Sequence, residues 1–210
     1  MKKFKKALAV LLAGVLALAM LTACGGGADG GKEPQHVTGA FDNTSKVTIG
    51  KVEVSSCTVE AYSMAQSPEK YKGYEYIAVT FGVRNQSEAP LDLERSASEW
   101  LQISSASATD FDAAYDGWFA KESKYLTAKV DGKAAKASGY CLVLGQGSAA
   151  TIMESQKYGS TQLIVLAPEG WTSLDVTFAP SNANGESAVF HLTQADVSKR
   201  MLPDGTLVTY

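Results

Sequence analysis

Tyr74-Glu75-Tyr76-Ile77-Ala78-Val79-Thr80-Phe81-Gly82-Val83-Arg84-Asn85 alternates large apolar residues with polar or small ones along its length. Ile77, Val79, Phe81 and Val83 fall on one side, and Tyr76, Ala78, Thr80, Gly82 and Arg84 on the other. Successive side chains of a strand point to opposite faces, so a period of two reads as a strand with one buried face. That is the pattern of an antiparallel sheet. The run stops at Asn85-Gln86-Ser87-Glu88-Ala89-Pro90, where turn-forming side chains meet a proline that has no amide hydrogen for the ladder.

The same period recurs on both sides of this segment. Val47 to Val54 and Cys57 to Tyr62 read as one bent strand or two, with Gly50 as a candidate bulge. Trp100 to Ser104, Gly139 to Leu144, Ala149 to Glu154, Gln162 to Leu166, Ser173 to Phe178 and Ser187 to Leu192 add further short strands. Turn sequences such as "VDGK", "APEG" and "APSNANGE" lie between them. Many short strands without a sustained helical period predict an all-β sandwich. Trp171 is expected in its core. Ser105 to Lys129, rich in Ala, Ser and Asp, reads as a long loop with at most a helical turn. Thr193-Gln194-Ala195-Asp196 carries an N-cap pattern for a short helix, and Leu202-Pro203-Asp204-Gly205 reads as a turn after it.

The first residues have another character. Four lysines in Met1 to Lys6 precede the uncharged stretch Ala7 to Leu21, the layout of an export signal. A helix that crosses a bilayer needs about 20 apolar residues, more than this stretch has. Leu21-Thr22-Ala23-Cys24 then resembles the lipobox of bacterial lipoproteins. The resemblance implies that residues 1–23 are a cleaved signal peptide and that Cys24 carries a diacylglycerol. The alternative is ordinary secretory cleavage with Cys24 as a spare thiol. Residues 24–45, which include Gly25-Gly26-Gly27-Ala28-Asp29-Gly30-Gly31, read as the lipidated cysteine and a flexible tether, with His36 solvated in it. The β-sandwich domain is then expected over 46–210. This places the protein outside the cell, held on the outer face of the bacterial membrane by its acyl chains.

Charge narrows the partners. The formal net charge is −3. Without the four signal lysines, 15 basic and 22 acidic side chains leave about −7. A surface of that sign argues against nucleic acid, which is bound by basic patches.

A lipobox, a low-complexity tether and then "GYEYIAVTFGVRNQSEAPLDL" together resemble the small lipoproteins with telokin-like, immunoglobulin-like domains that are widespread in Gram-positive bacteria. The residues that carry this resemblance are Val79, Phe81, Val83, Arg84 and Asn85, followed later by a turn at Gly145 and Gly147. It implies an immunoglobulin-like antiparallel β-sandwich of unassigned function, with no catalytic residues to transfer. The near-even spacing of Cys57, Trp100 and Cys141 departs from antibody domains, where the tryptophan follows the first cysteine closely. With Cys24 acylated, Cys57 and Cys141 remain, and in an exported protein they are expected to pair as a disulfide. Two independent buried thiols are the alternative.

Catalytic equipment is sparse. A Ser–His–Asp arrangement would have to use His191, which reads as a half-exposed strand residue, and no G-x-S-x-G elbow is present. Asp110, Asp112 and Asp116 lie close together, but an alignment to a calcium loop starting at Asp112 puts Ala114 and Ser123 where ligands are required. No metal or cofactor is expected. The same segment holds Phe111, Tyr115, Trp118, Phe119 and Tyr125, which read either as a contact surface for protein or glycan or, preferably, as a cover over an open edge. Asp110, Asp112, Tyr115, Asp116, Trp118 and Phe119 are thus the candidate contact residues. The expected function is a non-catalytic binding module whose ligand stays open. The alternatives are an envelope glycan hydrolase using the segment's carboxylates and a structural component of a surface lipoprotein assembly.

Overall fold

The structure is a computed structural model that describes residues 32–63, 69–106, 111–202 and 204–210. Cys24 and the signal segment lie outside the described residues. The alternating run forms strand β4 (Tyr74–Asn85), which pairs antiparallel with β3 (Val52–Ser63) on one side and β11 (Tyr158–Pro168) on the other. Beyond β11 lie β9 (Ala137–Val143) and the short β6 (Arg95–Ser96). Beyond β3 lie β14 (Val197–Met201) and β15 (Leu207–Thr209), while β2 (Val47–Ile49) folds back on β3. The second sheet runs β1 (Gln35–Thr38), β13 (Ala188–Leu192), β12 (Leu174–Phe178), β7 (Leu126–Val130) and β8 (Lys133–Ala134). A two-stranded ribbon, β5 (Leu91–Asp92) with β10 (Ile152–Met153), closes one side.

The two sheets face each other through the side chains that the period of two predicts. Phe81 on β4 lies 5.9 Å from Phe178 on β12 and 4.7 Å from Phe190 on β13, ring centre to ring centre, and is fully buried. Ile77, Val79, Leu163, Val165, Leu174, Val176 and Trp171 extend this layer. Burying side chains of this size stabilises the fold by about 1.5–3 kcal/mol each. The protein is therefore a two-sheet β-sandwich, mostly of antiparallel ladders. Among the described residues three pairings at the sheet flanks are parallel: β1 with β13, β14 with β3 and β6 with β9.

Asn85, the last residue of the alternating run, is fully buried and ties three loops together. Its Nδ2 donates to the carbonyls of Ala89, Met153 and Glu154, and its Oδ1 accepts from the Ser87 amide and from Asn182 Nδ2. A buried amide must satisfy its donors and acceptors, and Asn85 does so by anchoring the turn that follows the strand. The Arg-Asn ending of the run is therefore a structural feature.

Several expectations are corrected. Gly50 is not a bulge. It occupies a tight turn between β2 and β3 with φ +61°, and a Cβ there would come within 2.7 Å of the Ala183 Cα. The irregularity lies instead between Val54 and Ser56. Residues 35–45, read as tether, belong to the fold: β1 pairs with β13, and Phe41 forms a bridge with Cys57 of the other sheet. The segment after β1 therefore crosses from one sheet to the other. Trp100 to Ser104 is helix, not strand. Helix α1 (Ala97–Ala106) starts where the Ser96 hydroxyl accepts the Glu99 amide at 3.1 Å, an N-cap bond. Helix α2 (Phe111–Phe119) and most of strand β7 (Leu126–Val130) occupy parts of the loop expected over 105–129. The Thr193 to Asp196 pattern does cap a turn of 3-10 helix, after which the chain enters β14 rather than a helix.

Cys57 and Cys141 do not pair; both are free and buried. The register explains why. Cys57 lies opposite Phe81, Phe81 opposite Thr161, and Thr161 opposite Cys141. The two cysteines therefore occupy one row of the same sheet, three strand spacings apart. At about 4.8 Å per spacing that is roughly 14 Å, whereas a disulfide needs Cα atoms within about 7 Å.

Candidate functional site

The acidic and aromatic segment divides into parts with different roles. Asp110 lies outside the described residues, as do the side chains of Asp112 and Tyr115. Asp116 on α2 accepts from Lys70 Nζ at 2.8 and 2.9 Å and from the Tyr71 hydroxyl at 2.8 Å. The hydrogen bond from Lys70, followed by that from Tyr71, holds its carboxyl below the usual range. This carboxylate pins α2 to the turn at Glu69–Tyr71. It is therefore occupied as an ion-pair acceptor.

Trp118 and Phe119 behave as a cover. They pack against buried Tyr71 and Leu166 on the outer face of the larger sheet, together with Tyr76. Trp118 lies edge-on to Tyr76, at 6.3 Å and 78°, and nearly parallel to Trp100, at 5.3 Å and 18°. The array continues from Tyr76 to Tyr62 at 4.8 Å and from Trp100 to Tyr140 at 4.8 Å. Helices α1 and α2 therefore use their aromatic residues to shelter one side of that sheet. Aromatic pairs of this kind contribute about 0.5–1.5 kcal/mol each beyond their buried area.

Beside this cover opens a cleft of about 500 Å³. Its walls come from the 69–71 turn, the start of β4, the end of β11 and the β7–β8 hairpin. Tyr71, Tyr74 and Leu166 supply apolar surface, and Lys70, Lys133 and Lys136 supply charge. Tyr74 is 38% exposed, while Tyr71 is buried. Asp131 is the carboxylate of the lining, and its Oδ1 is committed to the amides of Thr172 and Ser173 and to the Thr172 hydroxyl, at 2.7–2.9 Å. These bonds, the Thr172 hydroxyl first, hold its carboxyl below the usual range. Among the described residues, Lys133 and Lys136 have no ion-pair partner. A second crevice, about 120 Å³, lies against Arg95 and is crossed by the Glu99 ion pairs with Arg95 and Lys121.

The cleft is not visible in the sequence. Its lysines sit at positions 70, 133 and 136, of which only Lys133 lies in a segment that reads as a turn, and the β7–β8 hairpin and the end of β11 bring them together. His191, the one histidine considered for catalysis, is half-exposed as expected. Its Nδ1 lies 2.8 Å from Asp175 Oδ1 and its Nε2 lies 2.8 Å from His36 Nδ1. Both ring nitrogens are thus engaged, and no serine hydroxyl is among their partners in the described residues. His36, read as solvated, is exposed and in addition takes part in this pairing.

No protein-family model matches the sequence, and no curated protein matches it. Two solved structures are similar in fold, each 11% identical. One is a protein of Bacillus subtilis described as a lipoprotein, matched with a TM-score of 0.43 over 74% of this chain. The chain spans 40% of that protein's length. The other is an uncharacterized β-sandwich protein from Clostridium difficile, matched with a TM-score of 0.41 over 79% of this chain and 99% of its own.

Proposed function

We propose that the chain is a lipid-anchored surface protein of the Gram-positive type. Its telokin-like, immunoglobulin-like sandwich serves as a non-catalytic binding module. The carrying observation is the open cleft of about 500 Å³ beside the aromatic cover, with exposed Tyr74 and two lysines at its walls that form no ion pair among the described residues. Specific small-molecule sites are concave, largely apolar clefts of about 300–1,000 Å³ with a few placed polar groups. A binding role also suits the side-chain chemistry: Asp116 is neutralised by Lys70, and the ring nitrogens of His191 are engaged. The sequence up to Cys24 supports the anchor.

Two measurements test this reading. Cys24→Ser should move the protein from the membrane fraction to the medium; a variant retained on the membrane overturns the anchor. The purified full chain should retain isolated envelope polymer without cleaving it, and Tyr74→Ala with Lys133→Ala should abolish retention. Retention that ignores the cleft variant, or hydrolysis lost in Asp116→Asn, overturns the binding-module reading.

A further inference from the structure

We infer that the cleft between the 69–71 turn and the β7–β8 hairpin recognises an anionic sugar or polyol unit, one that carries a phosphate or a carboxylate. This rests on the reading of the cleft as the module's ligand site and adds the ligand's chemistry.

The first argument is local charge. The chain is acidic overall, at −3 for the full sequence, yet this cleft gathers Lys70, Lys133 and Lys136 on its walls. Lys70 is compensated by Asp116, and Asp131 stays a carboxylate whose Oδ1 is held by Thr172 and Ser173, so the three lysines still outnumber the acids. Lys133 and Lys136 form no ion pair among the described residues, although the charge of Lys136 also acts on Asp116. A concave site with apolar walls concentrates the field of such charges, so an anion is attracted here more strongly than to scattered surface lysines. Ammonium groups on flexible stems act as point charges and suit phosphate or carboxylate without a fixed bidentate geometry.

The second argument is the floor. Tyr74 presents an exposed ring, and Tyr71 and Leu166 continue the apolar surface beside it. A sugar or polyol offers this floor its C–H face and offers the lysines its acidic group, and its hydroxyls reach the Tyr74 phenol. A simple inorganic anion would use the charges and leave the ring unused. An apolar ligand would leave the lysines unused. The floor and the charges together select a unit that has both. The acidic surface of the remaining protein opposes a long polynucleotide.

The test uses the full-length protein in detergent, titrated calorimetrically with glycerol 3-phosphate and with glucuronate, and with glycerol and glucose as neutral counterparts. At least one anion should bind where its neutral counterpart does not, and added salt should weaken binding. The anion that binds identifies the acidic group as phosphate or carboxylate. Lys133→Ala/Lys136→Ala should weaken binding by about tenfold or more and leave Tm unchanged, because both side chains are exposed. Tyr74→Ala should weaken it as well. Equal affinity for charged and neutral probes overturns the inference, and so does unchanged affinity in the double lysine variant. If both anions fail while envelope polymer is still retained through Tyr74, this inference falls and the binding-module reading stands. Sedimentation of the Cys24→Ser chain with phosphatidylglycerol vesicles, without binding of either soluble anion, overturns it in favour of a membrane contact.

Discussion

His36 and His191 meet end to end, with Nδ1 of the first 2.8 Å from Nε2 of the second and their rings 7° from parallel. The 5.1 Å between ring centres is the distance of two imidazoles joined in line through one hydrogen bond, not of two rings face to face. Asp175 accepts from His191 Nδ1 at 2.8 Å. In the neutral imidazole that contact leaves Nε2 of His191 to accept, and Nδ1 of His36 then donates. The result is a chain from Asp175 on β12 through β13 to β1, on the outer face of the smaller sheet, where Lys129 is the cross-strand neighbour of Asp175.

This chain helps to hold an edge strand that has little apolar area to bury. A double-mutant cycle of His36→Ala and His191→Ala, followed by urea unfolding, should give a coupling energy of about 0.5–1.5 kcal/mol. Amide exchange at Gly39, whose N–H bonds to the His191 carbonyl at 2.9 Å, should quicken in each single variant. Strict additivity of the two substitutions would show that the ring contact does not contribute.

Cys57 and Cys141 supply the second prediction. Burial, and to a lesser degree the charge of Asp196, pushes the Cys57 thiol from 9.0 up to about 12. Burial, and then the charge of Glu94, does the same for Cys141. In the Cys24→Ser chain, iodoacetamide at neutral pH should label neither thiol in the folded protein and both after denaturation without reductant. Fewer than two labels after denaturation would restore the disulfide. The pH dependence follows from the direction of the shift. The folded state keeps these protons while the unfolded chain releases them, so the thiols' contribution is complete below about pH 9 and is lost as pH rises towards about 12. Replacing both cysteines with Ala should flatten that alkaline decline.

The elements legible in the sequence are those whose pattern is local. The period of two in β4 and the turn residues around β12 and β13 are written in neighbouring residues, and the burial follows them. The misses share another cause. Leu101-Gln102-Ile103 alternates like a strand over only three residues, while the true signal, Ser96 three residues before Glu99, lies just upstream of that alternation. Strand β1 carries one half-buried apolar residue, Val37, between polar neighbours, so no hydrophobic pattern marks it. The separation of Cys57 from Cys141 is a matter of strand order, and the cleft is a matter of which turns meet. Neither strand order nor the meeting of remote turns is encoded in any short window.

A third prediction concerns Glu75, which is 4% exposed and receives Trp171 Nε1 at 2.8 Å. Arg200 forms an ion pair with its other oxygen. Gln194 closes the ring, accepting from Arg200 and donating to the Trp171 carbonyl. Removal of one partner from a buried pair leaves an uncompensated charge, so Arg200→Ala should cost about 3–5 kcal/mol in denaturant unfolding. Trp171→Phe removes one donor from that carboxylate and should cost about 1–3 kcal/mol. An Arg200→Ala cost below about 1 kcal/mol would mean that solvent already satisfies Glu75.

The last prediction separates a cover from a contact surface at Trp118. Its ring spans Trp100 and Tyr76 and lies over Leu166, so its loss should expose the outer face of the larger sheet. Trp118→Ala should lower the urea midpoint and increase the binding of a hydrophobic dye, and Trp118→Phe should recover most of both. Asp116→Asn should loosen the same helix more mildly, because it keeps an acceptor for Tyr71 and loses the ion pair with Lys70. The wild-type ion pair should itself weaken in acid. Lys70 and Tyr71 hold the Asp116 carboxyl below its ordinary 3.8, so its contribution is present above that value and fades as pH falls below it. If Trp118→Ala leaves the urea midpoint unchanged but abolishes retention of envelope polymer, Trp118 is a contact residue, and the binding surface extends from the cleft across the two helices.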